Sequence, residues 1–550
     1  MLDDFLSRHP ALLAEVESSV AQERRFEINL PPLPAGRALG SAFLVIPNAF
    51  PAACASVCLS EKLVLCVPHV ENGGKVCFSG DIGPSCGLTP EERIDDTLRQ
   101  FVDDFVIPWG DGRLDKDFEA EARTYWSIHV IKNSSASRAV NAVYTSDPRP
   151  SVARVYEAPL VLPARWLLAG TDRKFTDRMI ASLGVRASQV MRAVVAQIPI
   201  EYDLTPLTWP QTAEAVQLLL EARLSGADRR EFEANFGARG RYRVVILTSH
   251  KCDYGFLLPG GPPTKVNTRR GAQFGPVRGP LPMSVSRIDP GWTYGRDQHA
   301  AVRTRQESHV VVFGAGALGG HVIDQLARAG VGKISVVDLD SMEAPNIGRH
   351  LLGMESLGYA KAEHVARRVG LANPACVLLY LQSTAQAWLQ RYALGDIDMI
   401  VDLTGEPAVR FAIESARVLT PTPLVIGWME PFVAAAHACQ LTSGVLWLAG
   451  KNDRMTALQA VTWPPDVMRR EPACNSEFQA YTSAAAAHAV ALVAESALEL
   501  LDGQVSAPRI RSWVRGYGYL HVQHAGLALR EWAAKAGEFD GVIIERKWDE

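Results

Sequence analysis

At 550 residues the chain exceeds what one hydrophobic core organises, and roughly 150 residues per domain gives an expectation of about three or four units. With 47% hydrophobic and 21% charged residues and a mean hydropathy of +0.01, the composition is that of a soluble globular protein with room for large cores. A net charge of −4 and a pI near 6.4 exclude the basic footprint that nucleic-acid binding requires.

The opening MLDDFLSRHP is acidic at once and has no apolar segment, so no signal peptide is expected. Leu2, Phe5, Leu6, Leu12, Leu13 and Val16 recur at helical spacing and predict a helix over 2–20. Strands RFEINL, SAFLVI and KLVLCV follow, separated by Pro- and Gly-bearing turns. A second helical pattern runs from Pro90 to Val106, with Trp109 and Phe118 to Trp126 beyond it. Helix, meander, then helices is an α+β order. From Pro159 to Gly291 the pattern predicts helices at 175–196 and 212–224, a strand RVVILTS, and a long Gly/Pro/Arg-rich loop over 259–290.

From Arg296 onward strands alternate with helices: HVVVFG, a helix at 321–329, KISVVDLD, a helix at 360–369, DMIVDL, a helix at 410–418 and PLVIGW. Val- and Ile-rich strands without polar alternation suit a parallel sheet covered on both faces. AAAHACQL and GVLWLA are expected to extend it antiparallel, and the Ala-rich stretch 483–501, broken by His488, Glu495 and Glu499, reads as a buried or amphipathic helix rather than a membrane span. The domains expected are therefore 1–160, 161–290 (a connecting domain) and 291–550.

Nine cysteines in a chain without a signal point to thiols in a reducing cytoplasm. No C-x-x-C pair supports a structural zinc site.

Gly314, Gly316 and Gly319 form G-x-G-x-x-G between a strand and a helix, where backbone N–H groups meet phosphate at a positive helix end. Asp338 closes the next strand, where an acidic side chain holds ribose hydroxyls, and Asp340 follows it. An NAD-dependent dehydrogenase shares those features. Asn346, Arg349 and Lys361 do not belong to one, and as an ordered set they suit a triphosphate whose leaving pyrophosphate needs charge neutralisation.

GAGALGG, VVDLDSMEAPNIGRH, GYAKAE and DMIVDLTG together resemble the adenylation domain of the ThiF and MoeB superfamily, which includes ubiquitin-activating enzymes, over about 296–503. The resemblance implies an α/β Rossmann-like fold, ATP with Mg as cofactors, Asp338 on ribose, and Asn346, Arg349 and Lys361 on phosphates. It also implies Arg296, in YGRDQ, as an arginine finger acting across a homodimer. Where the family has the second Asp of D-x-x-D-N, this chain has Gly405, which leaves Asp402 and Glu406 as the candidate magnesium ligands.

Cys474, in the polar REPACNSEFQAYTSA, occupies the place of the thioester cysteine on the crossover loop of activating enzymes; a helix N-terminus and Arg469–Arg470 nearby favour the thiolate. The first 160 residues resemble a ubiquitin-conjugating enzyme: Phe50-Pro51, then Pro68-His69, then Gly74 three residues before Cys77. His69-Val70-Glu71 replaces the family's His-Pro-Asn, and Asn72 is the substitute to test for oxyanion support. Cys54, Cys58 and Cys66 are expected in the core, and Cys86 as a decoy or a disulfide partner.

Both resemblances in one chain match the fused conjugating–activating proteins of bacterial anti-phage and ubiquitin-like operons. They imply a cytoplasmic enzyme that adenylates a partner's C-terminus, either a ubiquitin-like protein or a nucleotidyltransferase. The acyl group then passes through Cys474 and Cys77 to an acceptor amine. Two other readings share the nucleotide motifs: a sulfur-carrier adenylyltransferase without conjugation, and a non-catalytic nucleotide-sensing scaffold.

Overall fold

Buried Phe26, Ile28, Ala42 and Leu44, spaced two apart on neighbouring strands, fold the N-terminal residues into an antiparallel meander. In the computed structural model its strands run Leu12–Val16, Glu23–Ile28, Ala42–Pro47, Ser56–Cys58 and Lys75–Val76, paired in sequence order. The residues described are 2–18, 22–77, 88–133, 140–162, 164–234, 242–258, 280–448, 452–467, 469–470, 477–478, 481–523 and 526–548. They form two units, 1–171 with 185–287, and 172–184 with 288–550.

In the first unit, the helix Pro90–Gln100 starts at a capping box: Thr89 accepts from the Glu92 amide at 3.3 Å, and Glu92 accepts from the Thr89 amide at 2.7 Å. It continues as a π-helical stretch over Phe101–Val106, and Ala122–Asn133 follows. Residues 142–287 build an eight-stranded mixed sheet in the order 281–283, 253–257, 242–248, 190–199, 154–161, 166–169, 142–145, 285–287. Trp126 joins the two parts in one core. Its ring lies 5.3 Å from Trp209, 5.2 Å from Tyr254 and 5.1 Å from Phe256, and its Nε1 donates to the Met283 carbonyl at 3.0 Å.

The second unit is a twisted sheet with strands β1 (His309–Phe313), β2 (Lys333–Val337), β3 (Val377–Leu381), β4 (Met399–Asp402), β5 (Leu424–Met429), β6 (Ala435–Leu441), β7 (Arg509–Val514) and β8 (Val542–Lys547). Their order is β3-β2-β1-β4-β5-β6-β7-β8; the first five are parallel and the last three antiparallel. Helices α1 (Gly319–Arg328), α2 (Lys361–Ala372), α3 (Ala385–Arg391), α4 (Pro407–Leu419) and α5 (Ser483–Leu501) pack on it. By length and composition α5 is apolar enough to cross a membrane, yet Ala486, Ala489, Leu492, Val493 and Ala497 are buried in the core. It is the central core helix of this unit.

Five expectations change. The first helix covers only Leu2–Arg8, because Pro10 disfavours helix in the residue before it, and 12–16 becomes a strand. KLVLCV is not a strand: a 3-10 turn over Glu61–Leu63, in which Ser60 accepts from the Lys62 amide, opens it, and Leu65 is left-handed; Cys66, expected in the core, is exposed. The helix expected over 175–196 ends at Ser182, where Gly184 takes φ +64°, and Val190–Pro199 is a strand. The loop expected over 259–290 holds strands Leu281–Met283 and Val285–Arg287 in its described part. GVLWLA does not extend the sheet: the Trp447 and Leu448 amides donate to the Glu414 carboxylate at 2.8 and 3.0 Å.

Trp126→Ala is expected to lower the unfolding free energy of the first unit by about 3–5 kcal/mol, as for a large aromatic truncated in a packed core; denaturant titration reads this directly.

Candidate functional site

The loop between β1 and α1 is shaped by close approach of its own backbone. A Cβ on Gly319 would lie 1.9 Å from the Gly314 carbonyl oxygen, and one on Gly314 would meet Leu403 and Thr404 main-chain atoms at 3.0–3.1 Å. At Gly316 the space is open, with only His350 Cε1 at 4.0 Å. α1 begins with Leu318 at its N-cap and no side-chain cap; the Gly320 amide donates to the Gly316 carbonyl at 3.0 Å, which leaves the Gly319 and His321 amides of the first turn for an anion.

Asp338 holds that loop in place. One carboxylate oxygen accepts from the Ala315 amide at 2.6 Å and the other from the Asp340 amide at 2.8 Å. Burial nonetheless raises its pKa, against the pull of the two amides and of Lys361.

Around the loop the charges are positive. Lys361 is the first residue of α2, only 9% exposed, and its Nζ donates to Asp340 Oδ2 at 3.1 Å; Asp340 itself is 69% exposed. An ammonium at the positive end of a helix opposes the dipole, and burying it adds a desolvation cost. Such a lysine marks a place for an anion. The Arg349 guanidinium lies 5.2 Å from the Tyr481 ring centre, and its carbonyl accepts from His321 Nε2 at 3.3 Å. Asn346 caps its own turn, Oδ1 accepting from the Glu343 amide at 3.0 Å. His350 was not singled out in the sequence; it follows Arg349, and only folding shows that it faces Gly316. Its Nδ1 is buried without a hydrogen-bond partner among the described residues. Burial, with Lys361, Arg349 and His321 close by, pushes its pKa from 6.5 to about 4.

On the other side, Asp402 ends β4 at 1% exposure. Its Oδ1 accepts from the Thr404 amide at 3.0 Å and the Thr404 hydroxyl at 2.7 Å, while Oδ2 is buried with no partner among the described residues. Burial raises its pKa, opposed by Thr404 and the charge of Arg410. That unmatched acceptor fits a divalent cation. Glu406 is exposed and meets Thr404 only through its own amide, at 3.2 Å to the hydroxyl. Gly405, which stands where the family has its Asp, has φ +74°, a conformation that favours glycine. No cluster of three or more His, Cys, Asp or Glu forms a metal cage among the described residues.

Arg296 is exposed at the end of the helix Pro290–Gly295, left-handed at φ +50°, its guanidinium 5.0 Å from the Trp292 ring. Cys474 lies outside the described residues, between dipeptides 469–470 and 477–478 that pair antiparallel. A second network unseen in the sequence anchors the chain shortly before it. Glu430 accepts from the Ala460 and Val461 amides and meets His437 Nε2, and His437 Nδ1 lies 2.8 Å from Ser512 Oγ. Its order, Ser–His–Glu, is that of a hydrolase triad, but His437 and Ser512 are both fully buried. It is a strut.

In the first unit Cys77 is exposed at the end of a hairpin in which Val70 bridges Val76 and the Cys77 amide donates to the His69 carbonyl at 2.8 Å. Gly74 is required there: φ is +83° and a Cβ would lie 2.2 Å from the Leu59 carbonyl oxygen. His69 is left-handed at φ +61°. Its Nε2 meets Asp117 at 2.8 Å, its Nδ1 Glu121 at 3.4 Å, and its amide donates to the Tyr125 hydroxyl at 2.8 Å. Asn72 is exposed at the hairpin turn. Cys54 and Cys58 are half-buried, and Cys86 lies outside the described residues.

Residues 297–519 match the ThiF family, so the second unit carries a ThiF domain. Over 353 residues, 61% of this chain and 61% of the relative, the sequence is 25% identical to the ATP-dependent ubiquitin transferase-like protein Cap2 of Pseudomonas aeruginosa. It is 35% identical over 138 residues to the sulfur carrier protein adenylyltransferase of Thermus thermophilus, covering 24% of this chain and 50% of that one. The matches thus span less than two thirds of these relatives. The E. coli MccB structure with ATP superposes on 45% of the chain and 65% of its own length, at 16% identity and a TM-score of 0.33, too slight a likeness to argue from.

Two outcomes are expected. Gly319→Ala lowers the melting temperature because the loop must move, whereas Gly316→Ala leaves it unchanged, both read by scanning fluorimetry. His350 has a folded pKa below its unfolded value, so its contribution to stability is complete above about pH 6.5 and is lost as pH falls through about 4. Denaturation of His350→Gln across that window shows a shallower acid loss than the native chain.

Proposed function

We propose that this chain activates a protein C-terminus with ATP and carries it as a thioester from Cys474 to Cys77, for conjugation to an acceptor amine. The observation that carries the reading is Lys361, a buried cation at a helix N-terminus, facing an uncapped glycine loop with Arg349 and His350 beside it. The ThiF match and the Cap2-like relative support the same reading.

The triphosphate lies over 314–319, its charge met by Lys361, Arg349, the Gly319 and His321 amides of α1 and the neutral imidazole of His350. Asp402, with Glu406 within reach of its loop, would hold Mg2+, which supplies further neutralisation of the phosphates. A carboxylate oxygen of the partner attacks the α-phosphorus; the acyl-adenylate forms and pyrophosphate leaves. The Cys474 thiolate attacks the acyl carbon and AMP leaves. The Cys77 thiolate then displaces Cys474, and an amine displaces Cys77, forming the amide and returning the thiol with one of the amine's protons. Two thioesters divide one hard acylation into easier displacements. Arg296, exposed on its own chain, is free to serve the phosphates of a second copy in a dimer. The ubiquitin-conjugating reading of the first unit rests on the His69–Cys77 hairpin, in which a strained histidine is held by two carboxylates beside an exposed thiol.

Adenylation without conjugation is favoured by the sulfur-carrier relative, whose similarity covers 24% of this chain. The two are separated by variants. With ATP and a carrier, Cys474→Ala is expected to keep ATP–pyrophosphate exchange and lose the thioester seen on non-reducing gels; a thioester persisting in it sinks the relay. Cys77→Ala is expected to accumulate the Cys474 thioester without conjugate. An unchanged final product favours the sulfur-carrier reading.

A further inference from the structure

Beside the glycine loop, the Arg349 guanidinium is engaged by a ring, whereas Lys361 is engaged by a carboxylate. Its main chain is tied to α1 through His321, and its guanidinium faces Tyr481, 5.2 Å from the ring centre. Tyr481 is the residue before Thr482, whose hydroxyl accepts from the Ala485 amide at 3.1 Å and caps α5. The tyrosine ring is half-buried and packs on the same core as Ile347, two residues before Arg349, and Leu351, two after. Neither end of the contact is loose: the ring packs against the core, and the arginine backbone is pinned by α1. Arginine otherwise carries large rotamer entropy, lost on binding unless something orders it beforehand. Burial raises the Tyr481 hydroxyl's pKa, while the charge of Arg349 and a hydrogen bond from its side chain lower it, so the phenol stays neutral and offers the cation its oxygen as well as its ring face.

We infer that Tyr481 is a positioning residue for nucleotide binding: it presets the Arg349 guanidinium for the phosphates and makes the root of α5 part of the phosphate site. The inference deepens the adenylation reading and rests on it.

The test uses the full chain, with magnesium and a non-hydrolysable α,β-methylene ATP analogue titrated by calorimetry, alongside ATP–pyrophosphate exchange. Tyr481→Leu is expected to raise Kd for the analogue and KM for ATP about fivefold, the scale of one cation–π contact, with kcat within twofold. Tyr481→Phe, which keeps the ring, is expected to stay within twofold of the native Kd and so to rescue the loss. In an Arg349→Ala background Tyr481→Leu adds nothing further. An unchanged Kd in Tyr481→Leu overturns the inference, as does an equal loss with and without Arg349. So does a Tyr481→Phe that melts normally yet binds as weakly as Tyr481→Leu. A native chain that binds no analogue overturns the adenylation reading itself, and with it this one.

Discussion

The glycine-loop end of the second unit depends on one half-buried carboxylate. Asp338 binds the Ala315 amide from the loop after β1 and the Asp340 amide from its own, and so clamps two loops of adjacent parallel strands together. Without that clamp the glycine loop has little to define it, since glycine is the residue that loses most entropy on ordering. The clamp also directs Asp340 toward Lys361, whose amide donates to the Asp340 carbonyl at 2.9 Å. Loop shape, cation placement and helix start therefore follow from a single group that is costly to bury. That cost is met by two short amide hydrogen bonds.

The same end of the sheet collects features that oppose stability. Lys361 stands against a helix dipole, Asp402 keeps an unmatched buried oxygen, and half-buried His350 is kept neutral among cations. Phe432 and Val433, in the loop after β5, are both left-handed, a conformation costly for a β-branched residue. Strain and unmet charge gathered at the carboxyl ends of parallel strands is the arrangement expected of a site whose partner carries the complementary charge. The far end of the unit is different. There Arg305 and Asp502 pair bidentately at 2.9 and 2.6 Å, both nearly buried, and satisfy one another. One end is built for rigidity and the other for a ligand.

The first unit treats its thiol in another way. Cys77 is exposed on a hairpin whose geometry is enforced by Gly74 and by the left-handed His69, and the three polar partners of His69 come from the helical segment 117–125. Tertiary contacts, not the hairpin's own turn, set the loop.

The sequence by itself determined the parallel half of the second sheet, because doubly covered strands carry continuous Val and Ile and need no partner to reveal their period. It determined the glycine motif and the order of Asp338, Asn346, Arg349 and Lys361 for the same reason: each is a local signal. Contacts across long chain separations were decided only by the fold. Leu12–Val16 has helical spacing but joins the meander once Pro10 ends the helix. GVLWLA has strand composition, yet its amides go to Glu414, 33 and 34 residues away. His350 became part of the site by facing Gly316, and Tyr481 by presenting its ring to Arg349. Composition and spacing report what a residue prefers locally, whereas burial and charge are settled by neighbours that only the folded chain brings together.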